Sequence, residues 1–314
     1  MIEQLAPDGR LRHLLGLEGL PRDVLDRLLQ RAEALRGPAA GGTAMRGTLA
    51  GTAVCTLFFE PSTRTRSSFL LAAQRLGADT LAFDASTSST SKGETALDTL
   101  RNLEAMGVRG FVVRHGEDGG VAALAAAAMP DTALVNAGDG RSHHPTQALL
   151  DMLTLRQAKG TDFSALRVLI VGDVLHSRVA RSNLRALQTL GAGEVRVCGP
   201  ASLLPDDATL AGCNVADDFD AALEGVDAVM MLRLQRERME QGLVPSLEDY
   251  HRKYGLTEAR LRRAAPNAVV LHPGPMNRGV EIDDAVADGP QSLILRQVAN
   301  GVAVRMAVLE EVLA

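Results

Sequence analysis

Phe58-Phe59-Glu60-Pro61-Ser62-Thr63-Arg64-Thr65-Arg66-Ser67-Ser68-Phe69 is the stretch from which the architecture can be read. An apolar, β-rich run from Thr52 to Phe59 stops at Glu60-Pro61. Hydroxyl residues and two arginines follow, and then Phe69, Ala72, Ala73 and Leu76 recur at helical spacing up to Gly77. This order predicts a strand, a tight turn and a helix N-terminus. At such a terminus, backbone N–H groups and the positive end of the helix dipole meet. Ser62, Thr63, Arg64 and Thr65 added to them make a pocket for a phosphate-sized dianion. An ordinary N-cap with solvated arginines is the alternative, and one Ser or Thr would have sufficed for it.

Outward from this unit, strand-like and helix-like segments alternate. Strands are expected near 52–59, 79–83, 110–114 and 132–136, with helices near 64–76, 94–107 and 117–129 between them. An amphipathic helix from about Pro21 to Arg36 precedes this series, and a helix from Pro145 to Lys159 follows it. A second series begins at Leu166, with strands near 167–173, 194–198, 227–232 and 268–271 and a helix from about Ser177 to Leu190. Val298, Val302, Met306 and Leu309 predict a last amphipathic helix within Gln291 to Leu313. The fold class expected is α/β, with two doubly wound parallel-sheet domains and a cleft between them.

Composition narrows the function. The chain has 314 residues, enough for two cores, with 46% hydrophobic and 23% charged residues and no tryptophan. No run approaches the ~20 apolar residues of a membrane span, and the Met1 end lacks a signal-peptide pattern, so a cytoplasmic protein off the membrane is expected. A net charge of −5 without a basic tail argues against nucleic acid as a partner. Cys55, Cys198 and Cys213 are odd in number, two of them in apolar strand-like runs, and read as reduced thiols. No Cys/His spacing suits zinc, and the adjacent His143-His144 are poor joint ligands, so neither metal nor cofactor is expected. The thirty-three basic residues include only three lysines, Lys92, Lys159 and Lys253. A chain that prefers Arg so strongly keeps Lys where Arg would not serve, which singles out Lys92 in its Ser/Thr-rich loop. Chance survival of three lysines would look the same.

In sheets of this kind ligands sit beyond the carboxyl ends of the strands, and the suspicious residues lie there. Arg114 follows the strand Gly110–Val113, where a surface capping arginine is an equal reading. Asn136 to Gln147 contains His143-His144-Pro145-Thr146-Gln147, which pure turn chemistry could also explain. Val168 to Asp173 and then His176-Ser177-Arg178 tempt a dinucleotide reading, but only Gly172 is present where three glycines are needed. Arg233-Leu234-Gln235-Arg236-Glu237-Arg238 follows another apolar strand, and a charged turn is a fair alternative. His272-Pro273-Gly274-Pro275 ends the last strand, and its prolines would hold the neighbouring carbonyls rigidly.

Pro61-Ser62-Thr63-Arg64-Thr65-Arg66 resembles the carbamoyl-phosphate motif of the aspartate/ornithine carbamoyltransferase family. Lys92-Gly93-Glu94-Thr95, His144-Pro145-Thr146-Gln147, Arg233-x-Gln235-x-Glu237-Arg238 and His272-Pro273-Gly274-Pro275 resemble its later motifs in order, within a resemblance that runs from Phe58 to Ile282. The resemblance implies that Ser62, Thr63, Arg64, Thr65, Ser88, Arg114, His144 and Gln147 bind carbamoyl phosphate. It implies that Lys92, Arg178, Arg233, Gln235 and the Pro273 and Gly274 carbonyls bind the amino-acid acceptor. Thr65, Arg114, His144, Lys92 and Arg64 would carry the chemistry, and Glu237 and Arg238 would be structural ion-pair partners. His143 would be a surface residue. Ornithine members carry a Cys in the late turn, which is absent here, and two guanidiniums suit a dicarboxylate, so L-aspartate is the acceptor expected. The reaction implied yields N-carbamoyl-L-aspartate and phosphate for pyrimidine synthesis, by direct attack.

The same resemblance implies a carbamoyl-phosphate domain of residues 1–150 plus 290–314, to which the last helix returns, and an aspartate domain of 151–289. It also implies a homotrimer in which Ser88 and Lys92 serve a neighbour's site, with a regulatory or dihydroorotase-like chain as a possible further partner. Leu70 departs from the pattern, since many members have Glu there. The rivals are another carbamoyltransferase and a non-enzymatic subunit that keeps the fold; intact Arg64, Lys92, Arg114, His144 and Arg233 speak against the second.

Overall fold

The computed structural model describes residues 3–41, 47–84, 93–206, 208–235 and 246–314. Along the first series run α1 (Arg22–Gly41), β1 (Ala53–Phe58), α2 (Thr63–Arg75), β2 (Asp79–Asp84) and α3 (Ala96–Ala105). Then come β3 (Gly110–His115), α4 (Gly120–Ala127), β4 (Ala133–Asp139) and α5 (Pro145–Lys159). The second series comprises β5 (Arg167–Val171), α6 (Arg178–Leu190), β6 (Glu194–Cys198), β7 (Asn214–Ala216), α7 (Phe219–Ala222) and β8 (Ala228–Met231). It continues with α8 (Leu247–Tyr254), α9 (Glu258–Leu261), β9 (Val269–Leu271), α10 (Asp284–Ala287) and α11 (Ile294–Leu313). Two units result, Met1–Leu150 with Ala299–Ala314, and Asp151–Val298.

In the first unit the sheet order is β2-β1-β3-β4, every pairing parallel. Parallel strands need helical crossovers that cover both faces, so interior strands are apolar along their length instead of alternating. β1, Ala-Val-Cys-Thr-Leu-Phe, is buried from Val54 onward accordingly. Cys55, Leu57, Phe111, Val113 and Leu134 pack with Leu100 of α3 and Val121 and Leu124 of α4. Each large apolar side chain so buried contributes about 1.5–3 kcal/mol. The edge of β4 is extended by the N-terminal segment: Leu14 pairs with Val135, and the Leu134 N–H donates to His13 Nδ1 at 3.1 Å. The C-terminal part of α11 belongs to this unit, where Arg31 of α1 donates to Glu310 at 2.7 Å and Arg27 to Glu311 at 3.2 Å.

The second unit has the all-parallel order β7-β6-β5-β8-β9. Leu169, Val171, Val229, Met231 and Val270 face a core completed by Phe219, Leu223, Leu256, Ile282 and Val286. α6 starts where the Ser177 hydroxyl accepts the Ala180 N–H at 3.1 Å, and it stops at Gly191, which takes φ 75°. Cys55 and Cys198 are buried in strands, and burial pushes each thiol up to about 12. Among the described residues no helix is long and apolar enough to cross a membrane.

Candidate active site

In the first unit the residues singled out gather at the carboxyl ends of β1, β3 and β4. Phe58 stands opposite Arg114 in the parallel register, and the Phe59 N–H donates to the Arg114 carbonyl at 2.9 Å. The chain leaves β1 through Glu60-Pro61 and enters α2 at Ser62, an extended N-cap whose hydroxyl makes no capping bond. Thr65 is buried within the first turn, while Thr63 and Arg64 are exposed. Of the two arginines, Arg64 is exposed, while the Arg66 guanidinium lies over the Phe58 ring at 5.2 Å. α2 carries no acidic residue in its first turn, whereas α3, α8 and α9 follow the usual dipole preference with Asp98, Glu248 and Glu258. Arginines in place of acids at a helix N-terminus make that end doubly attractive to an anion.

Arg114 is held from two sides. Its Nη1 donates to the Ala137 carbonyl of β4 at 3.1 Å, and its Nε lies 3.3 Å from Glu60 Oε2. The β3 exit is thereby tied both to the β4 exit and to the turn ahead of α2. Beyond β4, Asp139 closes the loop by accepting the His143 N–H at 3.0 Å and the Gly119 N–H at 3.2 Å. His144 then precedes Pro145, and its carbonyl accepts the Gln147 N–H at 3.0 Å, which starts α5. The His144, Thr146 and Gln147 side chains are all buried at this helix start. His143 departs from the surface position expected: it is half-buried against Gly16, where a Cβ would stand 3.0 Å from the ring. Ser88, Lys92, Glu237 and Arg238 lie outside the described residues.

In the second unit Arg178, Arg233, Gln235, Pro273 and Gly274 stand beyond the neighbouring strands β5, β8 and β9. Arg178 is the first residue of α6 and is buried, again in a first turn without acid. Ahead of it, Asp173 Oδ1 accepts the His176 N–H at 3.1 Å and meets His176 Nδ1 at 2.9 Å. Burial raises the Asp173 pKa, and the His176 hydrogen bonds and charge oppose that rise. The Gln235 amide donates to the His176 carbonyl at 2.9 Å, which joins the β8 exit to the β5 exit. On the other side, Asn277 Nδ2 donates to the Leu234 carbonyl at 3.4 Å.

Asp173, His176 and His272 stand in the motifs that the sequence singles out, yet nothing in it assigns them, Asn277 or Glu281 a supporting role. No spacing in the sequence announces that Asp173 pairs with His176, or that His272, Asn277 and Glu281 meet in one cluster. Their one signal is that each lies just after an apolar strand. Among the described residues no group of three or more His, Cys, Asp or Glu could hold a metal ion. What the two sets can do is hold anions: a dianion at α2, and carboxylates at Arg178 and Arg233.

Residues 12–157 match the family model described as the aspartate/ornithine carbamoyltransferase carbamoyl-P binding domain, and residues 164–312 match that family's Asp/Orn binding domain. The aspartate carbamoyltransferase catalytic subunit of Xanthomonas oryzae pv. oryzae is 76% identical over 310 residues, spanning 99% of this chain and 98% of that protein. The aspartate transcarbamoylase of Trypanosoma cruzi, solved with carbamoyl phosphate and aspartate, superposes with a TM-score of 0.85. Identity to it is 29%, over 96% of this chain and 97% of that one. Ornithine carbamoyltransferase from Thermus thermophilus gives the same TM-score at 28% identity, over 96% and 99% of the chains.

Proposed function

This chain belongs to the aspartate/ornithine carbamoyltransferase family, and from that premise we propose how its residues divide the work. The reaction is transfer of the carbamoyl group of carbamoyl phosphate to the α-amine of L-aspartate, a step of pyrimidine biosynthesis. The observation that carries the division is the pair of helices, α2 and α6, whose first turns hold arginine (Arg64 and Arg66 in one, Arg178 and Arg181 in the other) and no acid, at the ends of parallel strands. The first suits a phosphate dianion, the second a carboxylate.

Carbamoyl phosphate is assigned to residues 1–150 with 290–314, and aspartate to 151–289. Ser62, Thr63, Arg64 and Thr65 hold the phosphate, helped by Ser88 and Lys92 of a neighbouring subunit in a homotrimer. Thr65, Arg114 and His144 donate to the carbamoyl oxygen, and Gln147 accepts from the carbamoyl amide. Arg178 takes the α-carboxylate. Arg233 takes the β-carboxylate with Lys92, and Gln235 adds the amide hydrogen that His176 leaves unused. The carbonyls of Pro273 and Gly274 face the amine. The amine lone pair attacks the carbamoyl carbon, negative charge builds on its oxygen, and the bond to phosphate breaks with its electron pair on the leaving group. The departing phosphate accepts the amine proton, so no covalent enzyme intermediate forms. One well-placed donor to the developing oxyanion is worth about 3 kcal/mol, and holding the reactants in place supplies much of the rest. The enzyme works in the cytoplasm; a regulatory chain is the further partner that the name catalytic subunit of the Xanthomonas relative suggests.

Steady-state kinetics of two variants test the division. Arg64→Ala raises KM for carbamoyl phosphate, and Arg233→Ala raises KM for aspartate, each by roughly a hundredfold for a lost charge-assisted contact. Equal losses for both substrates in both variants would overturn the assignment. Purified chain given aspartate and ornithine in parallel should form ureido product with aspartate alone.

A further inference from the structure

The turn after β9 contains a buried polar assembly that sequence and family resemblance leave without a role. His272 and Glu281 are both sealed from solvent, with His272 Nε2 3.1 Å from Glu281 Oε1. On the other side of the ring, the Gly274 N–H donates to His272 Nδ1 at 2.8 Å. An Nδ1 that accepts carries no proton, so the ring's single proton is on Nε2 and is donated to Glu281. The same carboxylate receives the Asn277 N–H at 2.6 Å on Oε1 and Asn277 Nδ2 at 3.1 Å on Oε2. Three donors from two residues thus fix Glu281, and Glu281 fixes the ring.

The consequence falls on one peptide plane. The Pro273–Gly274 bond is trans, since the cis bond of this turn is the next one, Gly274–Pro275. In a trans peptide the N–H and the C=O point in opposite directions. Anchoring the Gly274 N–H on His272 therefore aims the Pro273 carbonyl away from the ring and out of the buried cluster. Gly274 takes φ 63°, a conformation that needs glycine, which lets the chain reverse directly behind that carbonyl. Asn277 also donates to the Leu234 carbonyl at 3.4 Å, so the assembly that aims Pro273 touches the segment bearing Arg233 and Gln235.

We propose that His272, locked by Glu281 and Asn277, is a positioning residue that aims the Pro273 carbonyl at the amine of aspartate. The inference rests on the proposed role of that carbonyl. It makes a separation that a general loosening of the fold would not. Recognition of the amine depends on His272, while recognition of the two carboxylates depends on Arg178 and Arg233.

Succinate has both carboxylates of aspartate and no amine, which makes it the probe. In His272→Gln the amide reaches the place of Nε2 and leaves the Gly274 N–H without its acceptor. In His272→Asn the amide oxygen stands at the place of Nδ1 and restores it. The expected result for His272→Gln is a KM for aspartate raised at least tenfold. Its KM for carbamoyl phosphate and inhibition constant for succinate stay within about twofold, and His272→Asn recovers most of the loss. Equal weakening of aspartate and succinate in His272→Gln, or no recovery in His272→Asn, overturns the proposal. Should His272→Gln fail to fold, Asn277→Ala unclamps the same carboxylate from a half-buried position and must also weaken aspartate more than succinate. Equal loss there counts against the proposal as well. Arg233→Ala separates the two levels of inference: it should weaken aspartate and succinate alike. If it spares both, the site assignment itself fails and the role of His272 falls with it.

Discussion

At the scale of single residues, Gly172 shows how a site dictates backbone. It follows β5 with φ 121°, and a Cβ there would stand 2.8 Å from the buried Tyr250 hydroxyl. Its carbonyl in turn lies where a Cβ on Gly199 would meet it at 2.4 Å. Gly172→Ala is therefore expected to destabilise the protein by about 1–3 kcal/mol, through both strain and contact. Because Asp173, His176 and Arg178 follow on the same turn, KM for aspartate should rise as well. Thermal unfolding and steady-state kinetics read the two effects, and a tolerated Ala would mean that the turn relaxes at no cost. The sequence offers one glycine here where a dinucleotide turn would need three, which argues against that ligand. What it does not display is why that glycine is required, because Tyr250 is distant in the chain and meets it only in the fold.

At the scale of elements, strands and helices with continuous apolar runs or 3.6-residue spacing lie where pattern places them: β1, α2, β3, α5, β5 and α6 are all legible. β7 is not, being three residues long and largely exposed, so it has no alternation to read. The short helices α7, α9 and α10 likewise carry too little periodicity. The N-terminal segment escapes for another reason, since its pairing with β4 is a tertiary event. Its histidine offers a test. Burial, and secondarily the charge of Arg12, pulls the His13 pKa from 6.5 down to about 4. Below pH 6.5 the unfolded chain takes up a proton at this position that the folded chain refuses. Stability present above pH 6.5 is therefore lost as pH falls towards about 4, by an amount on the order of 3 kcal/mol. His13→Asn keeps an acceptor for the Leu134 N–H and removes the titration, so its melting temperature should fall less than that of the natural protein between those pH values. Parallel curves would refute this origin of the acid sensitivity.

At the scale of the whole molecule, the proposed sharing of Ser88 and Lys92 between subunits makes activity a property of the assembly. At substrate concentrations near the natural enzyme's KM, Arg64→Ala and Lys92→Ala should each be nearly inactive alone. Dissociated, mixed in equal amounts and reassembled as trimers, they should regain activity, because about a quarter of sites then combine an intact Arg64 with a neighbour's intact Lys92. A mixture no more active than its parts would place both residues in one subunit's own site. A different consequence follows from where the thiols lie. Cys55 sits on an interior strand of one sheet and Cys198 on an interior strand of the other, and burial keeps both in the unreactive protonated form. Each unit thus contains its own chemical clock. The rate at which a thiol reagent consumes Cys55 or Cys198 reports how often that particular sheet opens, so the breathing of the two halves can be timed separately in one sample without adding a label.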